Sequence, residues 1–564
     1  MKISVITVSY NAIGMIERTI QSVAKQRYDD YEYIIVDGNS HDGTVDVIKR
    51  NICSITKWIS EPDCGIYNAM NKAVRMACGE YCIFMNAGDM FATPLSLKAA
   101  SLFLDDDFDV VTGREISTRN GKVIDYVVPP AEVTLSHFYK TSISHQSSFI
   151  KRALLLEYPY DEDLRLVSDW KFWLRTIVLG GKSYRSIDVD ISIFNHDGVT
   201  FNSYGIGEKE RRQVLRELLP ASVRADYDRT IITSRFGNFL LRVRGKVERM
   251  VKTVGIKKKM RTLGGYFKVM GICGIVPVIG QLLCLIGLGG GKMMKHYSIR
   301  RHLDRMFDGY MDNIAEVEKT ELDFYPIWVC WWQGEKRMPL VPKICLKRLR
   351  QNLRSDQRLI IISKDNYKDY VSLSQEAILA VEDGRVSITN FSDILRYALL
   401  SRYGGLWIDS TCYTTDMLPD LTGVTLFTSK DSSKANDNTF PSHYRWASWL
   451  MGGTANRLFT LEYRLFEAYV QQEIVFIDYL LLDYLLDYLY RHDQKCREIV
   501  DNCNDACQYS LDMQQHLGDT YEDEAWKDLA GKEWAHKLSW KLHTPLMAAD
   551  GEMTMFGKII DLLH

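Results

Sequence analysis

Apolar and polar positions follow two different rhythms along this chain, and the switches between them mark its parts. Ile3 to Tyr10 is an apolar run that turns polar only at its end, as a buried strand does. Ile16, Ile20, Val23 and Ala24 then mark one face of a helix, and Tyr31 to Val36 is a second strand that delivers Asp37 at its end. Strand, amphipathic helix, strand is the βαβ signature of a mostly parallel sheet, whose ligands sit beyond the carboxyl ends of the strands. Tyr10, Asn11, Asp37 and Asp89 are therefore expected on one rim. The alternation runs to about Thr200.

A second βα region begins near Tyr325. Ile327 to Trp331 and Leu359 to Ser363 read as strands, Ser392 to Arg402 as a helix, and Leu406 to Asp409 as a strand after the Gly404-Gly405 break. Beyond about Arg457 the pattern turns helical and aromatic, and the tyrosine and leucine stripe from Ile477 to Tyr484 is expected in a core.

The middle, from roughly Ala221 to Thr320, has neither rhythm. Arg242, Arg244, Lys246, Arg249, Lys252, Lys257, Lys258, Lys259, Arg261 and Lys268 accumulate against Glu248, and Val269 to Gly291 then runs 23 residues without a charge. About 20 apolar residues cross a bilayer. Pro277 and seven glycines interrupt a continuous helix, however, and basic residues on both flanks set no orientation. The expectation is an in-plane or re-entrant hairpin at 269–291, held to an anionic membrane surface by the basic segment. The alternative is a glycine-rich helical hairpin packed between two soluble domains.

At 564 residues the chain exceeds what one core supports, so the divisions expected are 1–220, 221–320 and 321–564. A hydrophobic share of 46%, a charged share of 25% and a formal net charge of -2 exclude a general nucleic-acid binder. The 12 cysteines form no CxxC pair and no histidine-cysteine cluster, which argues for ordinary thiols rather than zinc, Cys503 and Cys507 included. The opening residues lack the succession of a signal peptide, so the expected location is cytoplasmic, at the cytosolic face of the inner membrane.

Two strand ends carry the chemistry. Phe84-Met85-Asn86-Ala87-Gly88-Asp89 and Gly404-Gly405-Leu406-Trp407-Ile408-Asp409-Ser410-Thr411 each place an acid just past an apolar strand. There it can hold a divalent cation, Mn2+ or Mg2+, against a diphosphate and offset the charge on a leaving group. Two such places suggest two sugar-transfer sites on one polypeptide.

With Val5 to Asn11, Ile34 to Thr44, Ser60 to Lys72, Ser144-His145-Gln146-Ser147 and Val167 to Trp173, the first of these resembles the family 2 glycosyltransferases of the GT-A fold. The resemblance implies that Ser9, Tyr10, Asn11, Asp37, Asp63 and Asn71 hold the nucleotide donor, that Asp89 faces the metal and diphosphate, and that Asp169 is the catalytic base of an inverting transfer. His145 and Gln146 are assigned to the acceptor side. Asn86 and Gly88 stand where many relatives carry further aspartates, and the Gln-x-x-Arg-Trp segment of processive synthases is not evident after Asp169.

Trp328 to Glu335, Met338-Pro339, Phe391 to Tyr397 and Tyr403 to Thr411 resemble capsular polysaccharide synthesis proteins related to the family 32 sugar transferases. Asp393 and Arg396, three apart on one helical face, can converge on sugar hydroxyls and phosphate. The resemblance implies a second GT-A-like domain in which Asp393, Arg396 and Trp331 contact the donor, Asp409 and Thr411 face the metal, and configuration is retained. The fold expected is thus α/β, two nucleotide-sugar transferase domains joined by a helical, basic, glycine-rich segment. Expected partners are UDP- or GDP-sugar donors and a lipid-linked glycan acceptor. A single active domain with a non-catalytic companion is the alternative. A nicotinamide oxidoreductase would need a G-x-G-x-x-G turn after the first strand, which Ser9 to Gly14 does not supply.

Overall fold

The computed structural model describes residues 2–104, 107–119, 122–195, 204–227, 266–285, 291–310, 314, 317–437, 439–473 and 475–563. The basic tract from Arg242 to Arg261 and residues 286–290 of the apolar stretch lie outside these. The chain is mixed α/β and divides into two compact units, one of Met1–Leu241, Gly518–Tyr521 and Thr544–His564, the other of Arg242–Leu517 and Glu522–His543.

In the first unit, β1 (Ile3–Ser9), β2 (Tyr31–Asp37), β3 (Lys57–Ser60) and β4 (Tyr81–Phe84) lie parallel in the order β3-β2-β1-β4. Every residue of β1 is buried. That is the condition of a central parallel strand covered on both faces, and its polar members need partners there. Ser4 Oγ donates to Glu32 at 2.7 Å, and Thr7 Oγ1 bonds Tyr33 and the Met85 carbonyl. The sheet continues through antiparallel β8 (Ser148–Lys151), then β6 (Val110–Arg119), β9 (Tyr184–Asn195) and β5 (Met90–Phe91), with β7 (Lys122–Val127) paired on β6. Ser9 registers with Asp37 and Ile6 with Phe84, so the carboxyl ends of β1, β2 and β4 form one rim.

The end of the chain returns to this unit. Thr554 bridges to Thr520, and the helix Met555–Asp561 packs on the helix Ser96–Leu104. Lys98 Nζ donates to the Asp561 carbonyl at 2.6 Å, and Arg27 meets its carboxylate at 3.2 Å. The sequence reading kept these residues with 321–564. Their short apolar spacing, Met555, Phe556, Ile559 and Ile560, marks a buried face without telling which sheet it serves.

In the second unit, β10 (Tyr325–Cys330) lies parallel between β11 (Gln357–Ile362) and β12 (Gly405–Ile408). Antiparallel β15 (Leu450–Gly453) and β14 (Phe427–Thr428) complete the sheet on the β12 side. A separate ribbon pairs β13 (Cys412–Thr414) with β16 (Ala535–Lys537), Cys412 opposite Lys537. The helices Ile388–Tyr403, Arg457–Gln472 and Leu481–His492 pack together over a core holding Tyr397, Phe459, Phe466, Tyr484 and Leu485; of the tyrosine and leucine stripe, Ile477, Leu481, Leu482 and Tyr484 are buried there, whereas Tyr479 is exposed.

The described part of the middle segment joins that same core. Tyr266, Ile299, Leu303 and Phe307 are buried in it, Tyr266 donates to Asp478 at 2.6 Å, and His296 Nδ1 lies 2.7 Å from the Tyr484 hydroxyl. The helix Ile275–Leu285 crosses the helix Gly291–Met306 at glycines. A Cβ on Gly280 would stand 2.6 Å from the Gly291 carbonyl, and one on Gly291 2.5 Å from the Gly280 carbonyl.

Candidate active sites

The rim of β1, β2 and β4 opens on a cavity of about 980 Å³ lined by Ser9, Tyr10, Gly38, Asp63, Asp89 and His145, among others. Ser9 closes β1, and Tyr10 stands exposed just beyond it. Asn11 adopts a positive φ of 45°, which turns the chain so that its N–H reaches Ser40 Oγ and its Oδ1 accepts from the His41 N–H. Gly38 brings two walls close together: a Cβ there would meet Asp63 Oδ2 at 2.5 Å and the Tyr10 ring at 3.3 Å.

Asp37 lies behind this surface. It is fully buried and accepts from Ser9 Oγ at 2.9 Å, Ser40 N at 2.8 Å, Ser40 Oγ at 2.6 Å and Ser60 Oγ at 2.7 Å. Its carboxylate ties three strand ends together. Asn71 is likewise turned inward, clasping the backbone of Tyr160 and the Glu162 carboxylate.

Asp169 starts the helix Ser168–Trp173, whose tryptophans are buried in the core, so its position is set by packing. His145 Nδ1 donates to Asp169 Oδ2 at 3.1 Å, and Tyr67 Oη donates to Oδ1 at the same distance. Burial would raise the Asp169 carboxyl, but the bond and charge of His145, with the Trp170 N–H and Tyr67, hold it below its ordinary range. Burial would lower the His145 imidazole, and Asp169, Asp89 and Glu115 together lift it above its usual value. The Asn86 amide stands 3.1 Å from His145 Nε2, while its buried Oδ1 has no partner among the described residues. The same amide turned over presents Oδ1 to a doubly protonated ring, so Asn86 serves either charge state. Gln146 does not line the cavity wall described above; it donates to Glu115 Oε2 at 2.9 Å, and Ser144 donates to the same oxygen. Glu115 and Tyr67 were not among the residues singled out by sequence: Glu115 lies outside the motif blocks, and Tyr67, inside the Ser60 to Lys72 block, reaches Asp169 only through a contact 102 residues away.

Asp89 faces the cavity, and the backbone N–H of Asn86 donates to its carboxyl. Burial pushes it up to about 7, Glu115 adding to the rise and His145 opposing it. A carboxylate electrostatically unfavoured in this way fits a divalent cation, with a bound diphosphate supplying further oxygens.

The second site differs in charge. Asp409 follows β12, and its Oδ2 accepts from Lys537 Nζ at 2.6 Å while Oδ1 accepts from Trp407 Nε1 at 2.9 Å and Arg396 at 3.5 Å. Burial would raise this carboxyl, but the Lys537 and Arg396 charges hold it below its ordinary range. Arg396 is buried, donates to Asp393 Oδ1 at 2.9 Å and lies 4.7 Å over the Trp407 ring. Burial pushes Asp393 up to about 7, Asp409 and Asp483 raising it and Arg396 opposing. Thr411 is buried, and its carbonyl accepts from the Leu538 N–H. Trp331 packs edge-on against Trp540 at 6.1 Å, its buried indole N–H without a partner among the described residues. Asp409 is therefore already engaged by Lys537, Trp407 and Arg396, side chains that Asp89 does not meet. Among the described residues no cluster of three histidine, cysteine or acidic side chains has metal-site geometry. Sequence reasoning missed Lys537, which lies 128 residues from Asp409 in a stretch without a motif.

Two family models match successive parts of the chain. Residues 4–147 match the glycosyl transferase family 2 model, and residues 291–559 match that of the capsular polysaccharide synthesis proteins. An uncharacterised glycosyltransferase of Mycobacterium tuberculosis is 32% identical over 181 residues, 31% of this chain and 69% of that protein. The UDP-Glc:alpha-D-GlcNAc-diphosphoundecaprenol beta-1,3-glucosyltransferase WfgD of Escherichia coli is 26% identical over 174 residues, 30% of this chain and 68% of that protein. The solved structure of S. aureus TarS 1–349 with UDP is 21% identical and covers 40% of this chain and 69% of its own, at a TM-score of 0.32. The chain is a glycosyltransferase that belongs to family 2 through its amino-terminal region and carries a capsular polysaccharide synthesis domain behind it.

Proposed function

We propose that the chain is bifunctional and adds two sugars, in two linkages, to a growing bacterial surface glycan. The observation that carries this reading is a pair of sites at strand ends: His145 and Asp169 at the first cavity, and Arg396 beside Asp409 at the second. In the first, Asp89 would hold the divalent cation, which when bound offsets the charge of the departing diphosphate. Asp169 acts as the base on the acceptor hydroxyl through His145, which lines the cavity, and the sugar inverts. Ser9, Tyr10, Asn11 and Asp63 face the donor, with Asp37 and Asn71 fixing the walls behind them. In the second, Asp393, Arg396 and Trp331 meet the donor, and the transfer retains configuration.

The acceptor in this reading is lipid-linked and is met at the cytosolic face of the inner membrane. The WfgD relative is named for a diphosphoundecaprenol-linked substrate, which supports such an acceptor here. Tyr266–Cys284 has a mean hydropathy of 1.8 and is long enough to cross a membrane. Phe267, Ile272, Ile275, Ile279 and Leu282 along it are exposed, which supports lipid contact.

A second reading, one active domain with a scaffold beside it, is favoured by the ion pairs that occupy Asp409. Asp169→Asn and Asp409→Asn, made separately, test the choice by mass spectrometry of products on a synthetic lipid-linked acceptor. Loss of a different sugar in each variant supports two activities. A silent substitution retires that domain as an enzyme.

A further inference from the structure

We propose that the second unit grips the diphosphate of its donor with two fixed cations, Lys537 and Arg396, in the place where the first unit uses a metal ion. This rests on the reading of that unit as a nucleotide-sugar site. A divalent cation on Asp409 would have to take Oδ2 from Lys537, now 2.6 Å away, and Oδ1 from Trp407 at 2.9 Å. It would then stand beside an ammonium and a guanidinium, which repel it. The residues that follow Asp409 are a serine and a buried threonine, so no second carboxylate rewards the exchange.

An anion finds the opposite conditions. Lys537 Nζ carries three donors, one of them spent on Asp409. Arg396 is 3% exposed and stacked on Trp407, and its buried Nε–H has no acceptor among the described residues. The Trp331 indole N–H, just beyond the end of β10, is in the same condition. Because β10 and β12 are parallel neighbours, Trp331 and Asp409 follow the same end of the sheet. Buried donors without acceptors are costly, and a ligand rich in acceptor oxygens relieves that cost. Asp409 is then the anchor that aims both cations.

The ribbon of β13 and β16 makes this possible. Cys412 pairs with Lys537 and Leu538 N–H binds the Thr411 carbonyl, so backbone bonds set the lysine against Asp409.

Equilibrium dialysis of UDP, GDP and inorganic pyrophosphate against the full chain tests the proposal, with Asp89→Asn throughout to remove the cation ligand of the first unit. One of the two nucleotides is expected to bind in EDTA, more tightly than pyrophosphate, and Mn2+ is expected to add nothing. Adding Lys537→Met should weaken that binding at least tenfold, and Lys537→Arg should restore most of it, which also reports that the fold survives. Binding in EDTA that is indifferent to both lysine substitutions overturns the proposal. So does binding that requires Mn2+, seen by electron paramagnetic resonance as a bound ion lost in Asp409→Asn, although the donor-site reading then stands. Absence of nucleotide binding with and without Mn2+ removes both.

Discussion

The His145 imidazole stands between the first cavity and the Asp169 carboxylate, its Nδ1 3.1 Å from Oδ2. Of the two, only the histidine is on the cavity wall, so the pair works as a unit whose reactive edge is the ring. Asp169→Asn keeps the shape and removes the charge, and should lower kcat of the first transfer by about 10²–10⁴ with little change in donor KM. His145→Gln should cost a similar amount, and the double variant should be little worse than either single one. Steady-state kinetics with a fixed donor and varied acceptor checks this. Additive losses would mean that the two side chains act separately.

The same pair makes stability depend on pH in a defined direction. His145 has a raised folded pKa, so its charge contributes stability that is fully present below the unfolded value near 6.5. That contribution is lost as pH rises through the raised folded value. Asp169 has a lowered folded pKa, and its contribution is present above the unfolded value near 3.8 and is lost as pH falls through the lowered one. The stability gap between the native chain and His145→Gln should therefore be widest near pH 5 to 6 and narrow on the alkaline side. Urea unfolding from pH 5 to 9 measures it. A gap that widens with rising pH would contradict the assignment.

Asp37 should behave as a brace more than as a ligand. Replacing it by alanine leaves the Ser9, Ser40 and Ser60 donors without their acceptor at a fully buried point, and each such loss costs about 1–3 kcal/mol. The first unit should lose about 3 kcal/mol or more in chemical denaturation, with nucleotide affinity falling as a consequence. A variant that melts normally but no longer binds nucleotide would place Asp37 in direct contact with the donor instead.

What could be read from the sequence was what local pattern encodes. Ile3 to Tyr10, Tyr31 to Val36 and Leu406 to Asp409 read as strands, and the structure ends each within a residue or so of those limits. The shared rim followed, because parallel strands that alternate with helices must end on one side, as the Ser9 to Asp37 register does. Positions fixed by long-range packing were not legible. Lys537 reaches Asp409 only because β16 pairs with β13, and a three-residue strand has too short a pattern to announce its partner. Asp37 and Asn71 sit in motif blocks, yet inward or outward facing depends on hydrogen bonds that spacing does not encode. The described middle segment joins the second core through Tyr266, Ile299 and Phe307, whose spacing alone does not say which core they enter.

The return of the chain end to the first unit carries the last prediction. Met555, Phe556, Ile559 and Ile560 are each at most 3% exposed, and fully burying such a side chain is worth about 1.5–3 kcal/mol as an upper bound. Ending the chain after His543 removes all four, together with the Lys98 and Arg27 contacts to Asp561, and uncovers part of the helix Ser96–Leu104. Domains are stable by only about 5–15 kcal/mol, so a loss of several is expected to leave the first unit partly unfolded at growth temperature. The second unit keeps β16, Lys537 and its whole core, and should melt as before. Differential scanning calorimetry should show one transition shifted down by many degrees and one unmoved, with the sugar added by the first site lost from the products. Two unshifted transitions would mean that the helix Met555–Asp561 is dispensable to the sheet it covers.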